Sequence, residues 1–265
     1  MDTIGVNLQA VKQRIAHAAK LCGRDPADVG LIAVAKAFGA DAVAAAHAHG
    51  QSAFGENYVQ EAVEKITALS GLALESRIAS ANRGYDAAAS DARGHSAGVA
   101  SPGGPLLRPL EWHFIGPIQS NKTRLIAEHF DWVHSIDRLK IAERLSAARL
   151  AGLAPLQICI QVNICGERTK SGVAAGEALA LARAAAELPR LKLRGLMTVP
   201  SASADYAQQR RYFAQLRQLK NEIVSAGVTL DTLSMGMSGD FEAAIAEGAT
   251  LVRVGTAIFG ERKKY

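Results

Sequence analysis

Eight short apolar runs, each followed by a segment with helical spacing, constrain the fold of this 265-residue chain most strongly. Branched apolar runs of this length are typical of strands buried on both faces of a parallel sheet. Strands that alternate with helices indicate an α/β protein, and eight such pairs predict a (β/α)8 TIM barrel. The runs are Leu31–Lys36, Ser52–Asn57, Glu111–Gly116, Asp131–Ile136, Leu156–Ile164, Leu193–Val199, Thr232–Met235 and Leu251–Gly255.

Two further observations complete the predicted architecture. Residues 3–22 carry apolar residues at helical spacing, which predicts an extra N-terminal helix on the outside of the barrel. The main alternative fold, a doubly wound open sheet, normally has a glycine-rich turn after its first strand. Lys36-Ala37-Phe38-Gly39 has no such pattern, so we expect residues 1–265 to form one barrel domain.

The periodic pattern breaks down over residues 70–109, where glycine, serine, alanine and proline dominate. A segment with so few large apolar residues cannot bury enough surface to offset the entropy lost on ordering it. We therefore predict a long, disordered, low-complexity insertion between strands 2 and 3. Without it about 225 residues remain, which is a normal size for a TIM barrel.

The composition of the chain disfavours several classes of function. Basic and acidic residues are interspersed despite the net charge of +5, and only 5% of residues are aromatic, which disfavours nucleic-acid binding. No apolar run approaches the roughly 18 residues of a membrane span, and the N-terminus does not resemble a signal peptide. Cys22, Cys159 and Cys165 lack metal-ligand spacing and fit a reducing compartment. We therefore expect a cytoplasmic protein that binds no metal, membrane or nucleic acid.

Candidate functional groups stand at the carboxyl ends of the predicted strands, where barrels place their active sites. Lys36 brings an amine to this face, although a lysine that merely extends to solvent is the simpler alternative. After the seventh and eighth runs, residues 236–240 and 255–257 supply glycines, hydroxyls and helix starts, which favour an anion. Loops after these two strands form the recurrent phosphate site of barrels, although glycine there is also ordinary turn chemistry.

An amine and a phosphate site at the same face of the barrel suggest a phosphorylated aldehyde held as an imine. Pyridoxal 5′-phosphate (PLP) is the commonest such molecule. Arg253 on the eighth run would then meet the pyridine nitrogen and disfavour its protonation by like-charge repulsion. The alternative for Arg253 is a barrel-lining charge paired with a carboxylate.

Five motifs resemble those of the YggS/PROSC family, the pyridoxal phosphate homeostasis proteins. They are Phe54-Gly55-Glu56-Asn57-Tyr58-Val59-Gln60-Glu61, Trp112-His113-Phe114-Ile115-Gly116-Pro117-Ile118-Gln119-Ser120-Asn121-Lys122, Arg194-Gly195-Leu196-Met197, Met235-Gly236-Met237-Ser238 and Val252-Arg253-Val254-Gly255-Thr256-Ala257-Ile258-Phe259-Gly260. The resemblance runs from the first strand to the end of the chain, except for the insertion. It implies a barrel like the N-terminal domain of alanine racemase, with PLP bound to Lys36 as an aldimine.

The resemblance also implies which residues contact the cofactor. Phosphate contacts are implied near Ser238, Gly255 and Thr256, and Arg253 is implied beside the pyridine ring. Positions at or near the family's cofactor pocket are matched by Asn57, His113 and Met197.

Some residues depart from the family pattern or have simpler explanations. Relatives usually have serine where this chain has Ala35, whose side chain should point away from Lys36, so we expect little loss of binding. His113 and the helix start at Ser120-Asn121-Lys122 equally fit packing and capping. Lys122 is a candidate second amine for PLP.

The sequence thus predicts a non-catalytic PLP carrier that buffers PLP or supplies it to apo-forms of PLP-dependent enzymes. We expect a monomer. The alternatives are an amino-acid racemase of the alanine racemase fold type and, more remotely, a nucleic-acid-associated barrel. Two-base racemisation needs a proton donor and an acceptor on opposite faces of the substrate. In the racemase fold the second base is a tyrosine of a C-terminal β domain, for which we expect no counterpart after the eighth strand.

Overall fold

A computed structural model describes residues 2–70, 109–167 and 169–261 of the chain. The predicted insertion, except for its two end residues, falls between these ranges. Its predicted disorder therefore lies outside the described residues.

The strands of the described chain build a closed parallel barrel. Hydrogen-bonded neighbours follow the order β4-β3-β2-β1-β9-β8-β7-β5, and a β4–β5 pairing closes the ring. The strands are β1 (Gly30–Val34), β2 (Ala53–Glu56), β3 (Glu111–Phe114), β4 (Trp132–Ile136), β5 (Leu156–Asn163), β6 (Val173–Ala174), β7 (Leu191–Met197), β8 (Thr232–Ser234) and β9 (Leu251–Val254). The predicted TIM barrel is confirmed, and the seventh and eighth barrel strands are β8 and β9.

The short strand β6 was not predicted. It pairs with Val162 and Asn163 at the end of β5 and lies outside the ring. Two residues are too few to show a sequence period. Gly172 enters β6 at φ 121°, and a Cβ there would lie 2.7 Å from the backbone nitrogen of Asn163. This close approach explains the glycine.

Helices cover the outside of the barrel. They are α1 (Thr3–Leu21), α2 (Ala40–Ala48), α3 (59–70), α4 (Thr123–His129), α5 (Leu139–Ala148), α6 (Ala178–Ala186), α7 (Tyr206–Ser225), α8 (Phe241–Ala246) and α9 (Thr256–Phe259). The predicted N-terminal helix is α1: the Asp2 side chain caps its first turn, and Leu8, Val11 and Ile15 are buried. Because α1 packs on α2, α8 and α9, it covers the side of the barrel where the first and last strands meet.

The barrel interior is partly polar. Trp132, Cys159 and Met197 form a buried apolar cluster inside the ring, next to Leu251. Buried polar side chains, among them His134 and Arg253, occupy the rest of this space. Barrels of this type are normally filled by branched apolar residues, so the buried charge indicates a functional region.

None of the described helices combines the length and apolar character needed to cross a bilayer. Over the same residues, His, Cys, Asp and Glu form no group of three or more that could hold a metal ion.

Candidate functional site

A cavity of about 360 Å³ opens at the carboxyl ends of the strands. Six of the eight predicted site residues line it, namely Lys36, Asn57, Ser238, Arg253, Gly255 and Thr256. They come from the ends of β1, β2, β8 and β9, which are consecutive neighbours around the ring. The fold therefore brings together residues that are up to 220 positions apart in the sequence.

Lys36 follows β1 in a short loop that is fixed through its backbone. The lysine belongs to the inward-facing series of Ile32 and Val34, whose methyl groups face the Gly55 position from inside the ring. On the opposite side of the sheet, Lys65 of α3 donates to the carbonyl of Ala35 at 2.9 Å. The backbone N–H of Ala37, at φ 65°, donates to Glu61 at 2.8 Å. Both neighbours of Lys36 are thus held, and its side chain emerges into the cavity.

Three charged side chains behind the sheet form this anchor, which we call the loop clamp: Glu56, Glu61 and Lys65. The Lys65 ammonium lies 2.8 Å from Glu56 and 2.6 Å from Glu61, and its side chain is only 6% exposed. Burial raises the pKa of Glu56 to about 7, against the lowering effect of Lys65. The Lys36 charge also lowers this pKa, so the clamp and the cavity lysine are electrostatically linked.

Arg253 extends from β9 through the barrel interior to the cavity. One guanidinium nitrogen, Nη1, donates to the Ser234 hydroxyl at 2.6 Å, and Nη2 donates to the Thr198 carbonyl at 2.8 Å. Burial lowers the pKa of Arg253 to about 10, so it remains a cation at neutral pH. Within the described chain no carboxylate forms an ion pair with Arg253, contrary to the alternative considered for it.

The loop after β8 presents backbone N–H groups to the cavity. Gly236 turns it at φ 94°, where a Cβ would lie 2.7 Å from the Cβ of Ala244. Asp240 accepts the N–H of Met237 at 2.6 Å. The N–H groups of Ser238 and Gly239 have no hydrogen-bond partner among the described residues. This geometry can receive an anion.

The loop after β9 lies close against β1. A Cβ on Gly255 would lie 3.1 Å from the Val34 carbonyl oxygen, so a larger residue would press on the strand that carries Lys36. Thr256 begins α9 directly afterwards. The N–H groups of Ile258 and Phe259 donate to the Gly255 carbonyl, whereas those of Thr256 and Ala257 have no hydrogen-bond partner among the described residues. The Thr256 hydroxyl adds a further donor.

Asn57 supplies an unsatisfied polar atom at the cavity. Its side-chain Oδ1 is buried and has no hydrogen-bond partner among the described residues. Its backbone packs tightly, since a Cβ on Gly116 would lie 2.4 Å from the Asn57 carbonyl oxygen. A buried amide oxygen without a partner is costly and is typical of a position that a ligand completes.

The other two predicted site residues lie deeper in the barrel. His113 is 1% exposed and contacts Glu111 and His134 with its two ring nitrogens, and Met197 packs on Trp132 and Cys159. Within the described chain neither lines the cavity, and Lys122 does not line it either. None of the clamp residues was predicted for the site. Glu56 and Glu61 lie within the first family motif, and the sequence signal for Lys65 is its i, i+4 spacing from Glu61.

Comparisons with known proteins identify the family of this chain. Residues 6–263 match the family model described as alanine racemase, N-terminal domain. The pyridoxal phosphate homeostasis protein of Pseudomonas aeruginosa is 51% identical over 262 residues, which cover 99% of this chain and 97% of the relative. The protein of the same name from Escherichia coli K12 is 47% identical over 267 residues, covering 99% and 98%.

A solved structure shows the same architecture. PipY of Synechococcus elongatus PCC7942, solved with PLP bound, superposes with a TM-score of 0.70 at 34% identity, covering 93% of this chain and all of PipY. These similarities extend over the whole barrel. The chain therefore belongs to the pyridoxal phosphate homeostasis protein family.

Proposed function

We propose that this protein binds PLP in the cavity at the carboxyl ends of its strands and takes part in PLP homeostasis without appreciable catalysis. The observation that carries the proposal is the position of Lys36, which faces one cavity together with Arg253 and the loops after β8 and β9. The names of the relatives and the PLP bound in PipY support it.

The cavity fits PLP in size and in chemistry. Its volume of about 360 Å³ lies at the lower end of small-ligand sites, as expected for a compact cofactor. It offers an amine for an aldehyde, free backbone donors for a phosphate and an unsatisfied amide oxygen at Asn57. Each of these three features would interact with a different group of the PLP molecule.

Each lining residue then has a role that follows from its chemistry. Lys36 would hold the aldehyde carbon as a Schiff base, which sequesters a reactive aldehyde reversibly. Ser238, Gly255 and Thr256 would bind the phosphate, and Arg253 would lie beside the pyridine nitrogen. A fixed cation there keeps that nitrogen unprotonated and makes the ring a weaker electron sink. His113 and Met197 would support the pocket from below.

Absence of appreciable racemase activity is part of the proposal. Racemisation requires two groups that transfer protons on opposite faces of the substrate. Among the described residues that line the cavity, Lys36 and Arg253 are the ones with a basic side chain, and Arg253 remains protonated at neutral pH. Loss of optical rotation for alanine or serine at on the order of 1 per second would contradict this part.

Visible absorption of the purified protein tests the binding proposal. Added PLP should give the band of a protein-bound Schiff base, and Lys36→Ala should abolish it. Lys122→Ala is the matched control and should leave the band unchanged, because Lys122 does not line the cavity among the described residues. A band that persists in Lys36→Ala would refute the proposal.

Four further expectations stay predictions. They are the single-domain organisation over residues 1–265, a monomeric state, a cytoplasmic location and delivery to apo-forms of PLP-dependent enzymes.

A further inference from the structure

A continuous chain of hydrogen-bonded side chains crosses the barrel interior from its amino-terminal face to Arg253. We call it the interior relay. Its outer end, Glu111 on β3, is 46% exposed, whereas its other members are buried. Its members, in order, are Glu111, His113, His134, Ser234 and Arg253.

Each link of the relay has the length of a normal hydrogen bond. Glu111 Oε1 lies 2.7 Å from His113 Nε2, and His113 Nδ1 lies 3.0 Å from His134 Nε2. His134 Nδ1 lies 2.8 Å from the Ser234 hydroxyl, which in turn accepts from Arg253 at 2.6 Å. The chain therefore joins a carboxylate at one end to a guanidinium at the other.

The carboxylate end fixes the direction of every donor when both histidines are neutral. Ionised Glu111 can only accept, so His113 carries its proton on Nε2 and its bare Nδ1 accepts from His134 Nε2. His134 Nδ1 is then bare and accepts from the Ser234 hydroxyl. That hydroxyl in turn accepts from Arg253, which can only donate. All donors point from the cation towards the anion, so every link has one donor and one acceptor.

The surroundings of His134 favour this neutral form. Burial, together with the charge of Arg253, holds the pKa of His134 well below its usual range. The charged groups that face His113 are Glu111 and Asp131. Trp132 packs on both imidazoles, with ring centroids 5.5 Å and 5.6 Å away, and so restricts their rotation.

We propose that His134 is a positioning residue for Arg253. Its ring holds the Ser234 hydroxyl as an acceptor for the guanidinium, and His113 and Glu111 fix the tautomer of that ring. The inference rests on the proposed function only where Arg253 meets the PLP ring. An anion at the amino-terminal face thereby helps to orient a cation at the opposite, ligand-binding face.

The tautomer of His134 tests the relay in cofactor-free protein. Long-range ¹⁵N NMR of histidine-labelled protein should show His134 protonated on Nε2 and bare on Nδ1. A proton on Nδ1 would overturn the proposal. Glu111→Leu removes the orienting anion at the partly exposed end and should raise the fraction of His134 protonated on Nδ1. An unchanged fraction would also count against the relay.

Two amide substitutions separate the two contacts of the ring. In His134→Asn, Oδ1 can replace Nδ1 as the acceptor for Ser234, whereas in His134→Gln the longer amide reaches towards His113 instead. We expect His134→Gln to weaken PLP binding about tenfold and His134→Asn to weaken it no more than about threefold. Melting curves of both variants check that they are folded.

An equal loss of PLP affinity in the two variants would show that the ring acts only by packing, and would overturn the proposal. Failure of the wild-type protein to take up PLP would refute the proposed function instead. The tautomer and its response to Glu111→Leu are measured without PLP, so they decide the relay in either case.

Discussion

The strands that carry the cavity's amine and its buried cation are neighbours in the barrel, yet they hold these groups in opposite ways. β1 and β9 pair in parallel, with Ile32 opposite Arg253. The Lys36 loop is held from outside the ring by the loop clamp, through the backbone of Ala35 and Ala37. Arg253 is held from inside the ring, through its own guanidinium donors.

This difference suits the two roles that we propose. An amine that forms and releases a covalent bond needs a mobile side chain on a fixed backbone. A cation that acts on one ring atom needs a fixed side chain, because its effect depends on distance. Substitutions in the clamp should therefore affect the stability of the Lys36 loop, and those in the relay should affect Arg253.

Lys65→Met should have the largest effect, because it removes the only cation of the clamp among the described residues. It leaves Glu56 buried without a counter-charge and the Ala35 carbonyl without its donor. Breaking a buried ion pair from one side costs about 3–5 kcal/mol, so urea unfolding should show a loss of this order at pH 8, where a pKa of about 7 leaves Glu56 mostly ionised. PLP affinity should fall as well.

Lys140→Met is the matched control, since Lys140 is exposed on α5 and should change stability by less than about 0.5 kcal/mol. If Lys65→Met is as stable as this control, the clamp does not hold the loop.

Glu56→Gln should change how stability depends on pH. The pKa of Glu56 in the folded protein, about 7, is raised from an ordinary value of 4.5, so the folded state binds a proton that the unfolded state has lost. Stability from this group is therefore present at low pH and is lost as pH rises from 4.5 to 7. At 1.36 kcal/mol per pKa unit the loss is about 3 kcal/mol at most.

The measurement is the free energy of unfolding between pH 5 and pH 8 for the wild type minus that of Glu56→Gln. This difference should decline across the range. Glu64→Gln, at an exposed position of α3, should give a flat difference. An upward slope for Glu56→Gln would mean that Lys65 keeps the carboxyl ionised.

Gly255→Ala should have the smallest of the three effects. Gly255 follows β9 and lies against Val34 of β1. The added Cβ would press on the Val34 carbonyl, 3.1 Å away, and so displace the loop after β9 from β1. We expect PLP affinity to fall about tenfold, measured by fluorescence titration. Gly239→Ala in the other loop meets open space and should stay within about twofold of the wild type. Equal affinities for the two variants would exclude a close fit at Gly255.

The parts of the site that were predictable from the sequence are local. Lys36 ends one apolar run, and the two glycine loops follow two others. Because the carboxyl ends of all barrel strands lie at the same face, the sequence predicts that these three segments meet there. The (β/α)8 barrel itself followed from the repeated period. Each apolar run and the loop after it can be recognised within about ten residues of the sequence.

The clamp depends on the packing of a helix on the sheet and the relay on register between strands, so neither could be read from the sequence. Lys65 and Glu61 look like an exposed i, i+4 helix pair, and only the packing of α3 on β2 buries the lysine. His113, His134 and Ser234 lie on three strands, and nothing in any one strand indicates that they are hydrogen-bonded. The sequence analysis therefore assigned His113 to the cofactor pocket or to packing, and not to a relay.

Covalent mapping of the cofactor tests the central claim most directly. Protein loaded with PLP is reduced with borohydride and digested, and the peptides are analysed by mass spectrometry. We expect the pyridoxyl mass on Lys36 and its loss in Lys36→Ala. Label on Lys122 or another lysine, with the chromophore retained in Lys36→Ala, would contradict it.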